Sequence, residues 1–404
     1  NARTRTTRAA GAPPRALRLL AGAALAAMLA SCATVQTTGT GTVDVPSEAP
    51  AAPGRWTFDD TRPAAERDGD RPPRKLAVLL PMSGSLATAA APVRDGLLAG
   101  YYGERRERPE LAFYDTTGTA AGTASAYARA ISEGADQVVG PLGREEVDAL
   151  FRSPAQVPVI ALNRGSSGAP DNAAAFSLAP EDEGDAAAQY LLKRNARNVL
   201  VLSNGEDAAR RSVDALTARL LQAGGSVVGT LAVVGDQPVD QTAALQNALA
   251  SGTGVDAVYL AIRGNQARVI APQLSVAGLA TRPRVGSSLL VQGTGKPEED
   301  QILDGIAVPT ESWSTGASAR SLPPLTTVSR DLPTARGGAA RLFAFGFDAW
   351  LLSGYLEHLA RTPDAAIGGA TGMLRIAADG NVMRQPAWAT WRNGHVAPQA
   401  DAGG

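Results

Sequence analysis

From Lys75 onward, short runs of mostly Val, Ile, Leu and Ala alternate with segments whose apolar residues recur at helical spacing. The runs cover residues 76–80, 111–114, 137–139, 157–162, 176–178, 199–203, 226–234, 255–261, 285–291 and 306–308. A strand with one face in water alternates apolar and polar residues. A near-continuous apolar run is instead buried on both faces, as in a parallel sheet covered by helices. Between the runs, Val93, Leu97 and Tyr101 fall at i, i+4 and i+8, and Val213, Leu216 and Leu220 at i, i+3 and i+7. Strand–helix alternation of this length predicts an open α/β fold. The strands outnumber those of one comfortable sheet, so two lobes are expected, each an open, mostly parallel sheet flanked by helices. The crossover is expected at 180–185. A late helix carries Phe343, Phe347, Trp350, Leu351, Tyr355 and His358 on one stripe, and Asp379-Gly380 marks a tight hairpin after it.

Composition closes several functional classes. The formal charge of −1 argues against nucleic acid, which requires a concentrated basic surface. The single cysteine, Cys32, excludes an internal disulfide or a thiolate metal cage. Two histidines, His358 and His395, leave little material for a zinc site or a Ser–His triad. No Gly-x-Ser-x-Gly elbow occurs, and Gly293-Thr294-Gly295-Lys296-Pro297 places Pro where a phosphate loop continues into its helix. No catalytic residue, metal or cofactor is therefore expected.

The N-terminal region reads as an address. Arg3, Arg5, Arg8, Arg15 and Arg18 precede the short apolar stretch 19–30, which ends in Leu29-Ala30-Ser31-Cys32. A charged head with an apolar body of this length is a secretory signal. Residues 1–31 are expected to be that signal, and residues 32–73 a lipidated cysteine and flexible tether, since Trp56 and Phe58 are the only large apolar residues between 33 and 73.

The end of that signal resembles a bacterial lipobox, which implies a diacylglyceryl group on Cys32 and attachment to a membrane through lipid. Ala33 and Thr34 following it imply the periplasmic face of the outer membrane by bacterial sorting rules. The strand and loop Leu-Ala-Val-Leu-Leu-Pro-Met-Ser-Gly at 76–84 is similar to the opening of type I periplasmic binding proteins. More narrowly, the chain resembles the LppC family of penicillin-binding protein activator lipoproteins. The similarity continues, in order, through Val93-Arg94-Asp95-Gly96, Phe113-Tyr114-Asp115-Thr116, Val138-Val139-Gly140-Pro141, the 158–164 segment ending in Asn163-Arg164, Phe345-Gly346-Phe347-Asp348 and Gly369-Ala370-Thr371-Gly372. The family implies a two-lobed fold, with lobe I at 74–179 plus about 309–360 and lobe II at 180–308 plus about 361–404. It also implies a non-enzymatic lipoprotein whose partner is a bifunctional peptidoglycan synthase. In the best-studied members a long helical-repeat domain precedes the binding-protein-like domain, at the place that the tether takes here.

In an open α/β lobe, ligands sit beyond the carboxyl ends of the strands. Those ends carry Ser83, Gly84, Asp115, Thr116, Gly140, Asn163, Arg164 and Ser203. Hydroxyls, backbone N–H groups and the Arg164 fork suit a carboxylate or amide. The alternative function is thus a periplasmic solute receptor that holds a small polar ligand, such as an amino acid or amide, between its lobes. The competing reading of Ser83, Thr116 and Ser203 is that they cap the helices that follow.

Overall fold

A computed structural model describes residues 54–399, apart from 253, 292 and 317–321. Cys32, the signal and residues 32–53 of the tether lie outside the described residues. The first lobe is built in chain order from β1 (Lys75–Leu80), α1 (Ala87–Gly103), β2 (Glu110–Asp115), α2 (Ala120–Ser132), β3 (Gln137–Val139), α3 (Arg144–Leu150), β4 (Val159–Ala161) and β5 (Ala173–Ala175). These strands form one parallel sheet of order β2-β1-β3-β4-β5. Its two faces explain the continuous apolar runs. Leu76, Val78, Leu80, Val139 and Ile160 enter one core, while Ala77, Leu79, Val138, Val159 and Ala161 enter another.

The second lobe continues with α4 (Pro180–Leu192), β6 (Asn198–Ser203), α5 (Asp207–Gln222), β7 (Ser226–Ala232), α6 (Thr242–Ala250), β8 (Ala257–Ala261), α7 (Gly264–Val276), β9 (Arg284–Gly286), the one-turn α8 (Pro297–Asp300) and β10 (Ile306–Thr310). Leu200, Leu202, Val258 and Leu260 face one core, and Val199, Val201, Ala257 and Tyr259 the other. The chain then forms α9 (Leu325–Asp331) and α10 (Ala339–Arg361), followed by β11 (Ile367–Gly368), β12 (Met373–Ile376), β13 (Val382–Gln385), β14 (Ala387–Arg392) and β15 (His395–Pro398). The segment after 361 divides. Ile367, Leu374 and Val382 join the first lobe's core, whereas β14 and β15 extend the second sheet, of order β15-β14-β10-β9-β8-β6-β7. The two lobes therefore have separate sheets of mostly parallel strands, with antiparallel additions at β14 and β15.

Several local expectations change. The strand expected at 176–178 lies earlier, at Ala173-Ala174-Ala175, because those backbones pair with Val159–Ala161. The run 285–291 is a strand only to Gly286 and then turns into a 3-10 helix at Ser288–Leu290. α10 is buried all round rather than along one stripe, with 17 of its 23 residues buried. One face contributes Phe345, Ala349 and Leu352 to the first core, while Phe343 and Phe347 pack with Trp313. Its crossing with α1 is permitted by glycine. A Cβ on Gly96 would lie 1.9 Å from the Phe343 carbonyl oxygen, and one on Gly346 would lie 1.9 Å from that of Val93.

Residues 54–73, expected as the end of a flexible tether, are a strap packed on the first lobe. Phe58 is buried and stacks on Trp56. Arg62 Nη2 donates to Glu357 Oε2 at 2.6 Å, and Arg71 Nη1 to Glu357 Oε1 at 3.0 Å. Arg55 Nη2 donates to the Ala169 carbonyl at 2.7 Å. Composition underweights such a segment because two aromatic rings and three arginines do the anchoring, and the arginines reach Ala169 and Glu357, more than 100 positions away.

Candidate functional site at the lobe interface

The loops after β1 and β2 are joined by one carboxylate. Asp115 accepts hydrogen bonds from the backbone N–H of Met82 (2.9 Å) and Thr117 (2.8 Å) and from Ser83 Oγ (2.7 Å). The Ser83 hydroxyl, more than any other partner, holds the Asp115 carboxyl below its usual range. Gly84 sits at a φ of +82°, with space for a Cβ blocked 2.8 Å away by the Thr117 carbonyl oxygen. Thr116 is fully buried; Thr119, not Thr116, caps α2 by accepting from Gly122 N at 3.0 Å. At Gly140, φ is +105° and a Cβ would meet the Leu79 carbonyl oxygen at 2.0 Å, so the residue is set by close packing on β1. Asn163 Nδ2 donates to the Leu142 carbonyl at 3.0 Å, tying the β3 and β4 loops. Ser203 Oγ accepts from Gly205 N at 3.2 Å in the second lobe. Ser83 and Ser203 thus brace loops, and neither caps a helix; α1 and α5 have no side-chain cap at all.

Arg164 leads to a cluster that local sequence reasoning did not assemble. Its Nη2 donates to Asp182 Oδ1 at 2.7 Å, so its charge is already engaged. Beside Asp182 on α4 stands Glu183. Arg341, on α10, pairs with Glu183 through Nη2 and with Glu311, just after β10, at 3.0 Å through Nε. Arg341 Nη1 also donates to Ser288 Oγ at 2.6 Å, and Ser288 N donates to Glu183 Oε2 at 3.0 Å. Arg384, from β13, is 4% exposed and supplies a further positive charge. This clasp joins α10 and β13, packed with the first lobe, to α4, β10 and the 3-10 turn of the second.

The electrostatics follow from burial against pairing. Burial pushes the Asp182 carboxyl up, against the pull of Arg164 and Arg384. Burial opposes ionisation of Glu183 too, but Arg341, Arg384 and the Ser288 hydrogen bonds outweigh it, leaving its carboxyl below the ordinary value. Burial, with like-charge repulsion from Arg341, pulls Arg384 down. Asp348, also fully buried on α10, accepts from Ala370 N, from Thr371 N at 2.8 Å and from Thr371 Oγ1 at 2.6 Å. Burial nevertheless pushes its carboxyl up to about 6. Chemically, the interface pairs acids with guanidinium groups, an arrangement suited to holding lobes in register. Only Arg164 of this cluster carried a signal at a strand end. Glu183 and Arg341 are 158 positions apart, and no local pattern links them.

The chain as a whole has relatives. The family model described as "LppC putative lipoprotein" matches residues 70–394. The penicillin-binding protein activator LpoA of Klebsiella pneumoniae subsp. pneumoniae is 27% identical over 320 residues, which cover 72% of this chain and 44% of that protein. The chain spans about half the length of the curated relatives it matches. The solved LpoA (YraM) C-domain from Haemophilus influenzae, described as a regulator of PBP1A, superposes with a TM-score of 0.67 at 22% identity, covering 81% of this chain and all of that one. A structure from Chromobacterium violaceum, described as a "putative branched-chain amino acid ABC transporter", gives a TM-score of 0.62 at 27% identity over 78% of this chain and 99% of that one. The second pair of matches shares the two-lobed architecture of type I periplasmic binding proteins; the first places more than three-quarters of the sequence, from just before β1 to the turn after β14, in one family. This chain belongs to the LppC lipoprotein family.

Proposed function

We propose that this chain is an envelope lipoprotein, attached through lipid at Cys32 to the periplasmic face of the outer membrane, whose body docks on a bifunctional peptidoglycan synthase and favours its active state. It has no catalytic role of its own; it acts by contact. The observation that carries this reading is the ordered match over residues 70–394 to a family whose curated relatives are penicillin-binding protein activators. The Arg341 clasp supports it, since the lobes are held by the chain's own charges and present a preset surface. Activation by contact requires tighter binding to the active conformer. A thousandfold stimulation corresponds to about 4 kcal/mol of differential binding. Photo-crosslinking of the full chain in intact envelopes tests the reading: the captured protein is a bifunctional peptidoglycan synthase. Capture of transporter membrane subunits instead contradicts it.

A second reading, a solute receptor, is favoured by the 27% identity to the Chromobacterium violaceum structure. Ser83, Gly84, Asp115, Thr116, Gly140, Asn163, Arg164 and Ser203 would then border the ligand. A ligand at 100 times its Kd adds about 2.7 kcal/mol to stability, so a thermal-shift screen of amino acids and amides detects it. The activator reading predicts a flat response.

A further inference from the structure

Next to the Arg341 clasp, and sharing Asp182 and Arg384 with it, lies a groove of about 1030 Å³, walled by α4 and by β12, β13 and β14. It is larger than most small-molecule pockets, which run from roughly 300 to 1,000 Å³. Four cations line it: Lys193, Arg194, Arg375 and Arg384. Three carboxylates line it as well, and two of them are ion-paired from outside the wall. Asp182 is paired with Arg164 at 2.7 Å, and Asp185 with Arg219 at 3.4 Å. That leaves Asp364 as the one lining carboxylate without an ion-pair partner among the described residues. Among the described residues, the side chains of Lys193 and Arg375 have no ion-pair or hydrogen-bond partner, and both are exposed. Arg384 is 4% exposed, yet its Nε and Nη2 have no hydrogen-bond partner, and only Nη1 reaches an acceptor, the Thr371 carbonyl at 3.4 Å. Those two nitrogens are closed off from solvent, and the charge of Arg384 is met instead by the nearby acids Asp182, Glu183 and Glu311. The aromatic wall is Tyr190 against Trp388, with ring centroids 4.2 Å apart and Arg194 stacked 3.5 Å over Tyr190.

We propose that this groove is a docking site for an acidic polypeptide segment. Charge complementarity selects the occupant: with Arg384 facing the buried acids Asp182, Glu183 and Glu311, the three cations Lys193, Arg194 and Arg375 face one uncommitted carboxylate, Asp364. Arginine takes side-chain carboxylates through paired N–H donors, and the exposed amide of Gln385 offers both a donor and an acceptor to a peptide backbone. The groove's size fits several residues rather than one ion. The proposal rests on the groove alone and holds or fails independently of the synthase assignment.

The test is fluorescence anisotropy of labelled hexaglutamate with the full chain at low salt. Hexaglutamate binds, hexalysine does not, and inorganic phosphate at matched charge does not displace the peptide. The double variant Lys193→Gln/Arg375→Gln, both changes at exposed positions, weakens binding at least tenfold with an unchanged melting temperature. Arg129→Gln/Arg210→Gln, two arginines away from the groove, leaves it unchanged. No hexaglutamate binding at millimolar concentration, equal binding by the Lys193/Arg375 variant, or full displacement by phosphate overturns the proposal.

Discussion

Asp348 and Arg341 are the residues where burial and charge conflict most directly. Three donors hold the Asp348 carboxyl, but its full burial lifts it from 3.8 to about 6. A carboxyl whose folded value is raised binds its proton more tightly in the native state. Its contribution to stability is therefore greatest at low pH and is lost as pH rises from about 4 through about 6. Urea unfolding at pH 4.5 and pH 7 should show this: relative to Asp348→Asn, the wild type loses on the order of 2 kcal/mol between the two. A difference independent of pH contradicts it. Arg341 holds two acids, so Arg341→Met leaves Glu183 and Glu311 buried without it and should cost about 3–5 kcal/mol in urea unfolding. Adding Glu183→Gln and Glu311→Gln should recover part of that loss; no recovery would show that packing, not charge, holds the lobes. In the sequence, Asp348 stands only within the late-helix motif Phe345-Gly346-Phe347-Asp348, and Arg164 is a strand-end cation. Their partners are not legible there, because Thr371 and Asp182 reach them only through the tertiary fold.

At the level of elements, the sequence displayed most where both faces of a strand are buried. In β1 the residues alternate between two cores, and neither face needs a polar residue. β5 was misplaced for the opposite reason. Its three alanines have weak strand preference, and only pairing with β4 makes them a strand. The α1–α10 crossing shows the same dependence on context. In an exposed helix, Gly→Ala stabilises by about 1 kcal/mol. At Gly346 the added methyl meets the Val93 carbonyl oxygen at 1.9 Å, so Gly346→Ala should instead destabilise by about 3 kcal/mol or more, with a lower melting temperature. A neutral or stabilising effect would mean that the two helices separate readily. The strap is the element that composition read least well. Glu357→Ala removes the shared acceptor of Arg62, Arg71 and Arg361, and limited proteolysis should then cut near residues 60–72 faster, while β1 to β4 stay protected. An unchanged cleavage rate would show that Phe58 packing alone holds the strap.

At the largest scale, the described residues form two sheet-centred lobes joined by crossing segments and by a clasp of buried charge. Alternation and strand count foretold the lobes; the clasp depends on residues brought together only after the chain has crossed between lobes. Its family relationship supports a body that works by touching a partner. The rate of glycan-strand synthesis by a cognate bifunctional synthase, measured with the purified full chain titrated to saturation, tests that claim most directly. A contact activator gives a saturable rise in rate above that of the synthase alone. A rate that stays flat at every concentration would contradict it.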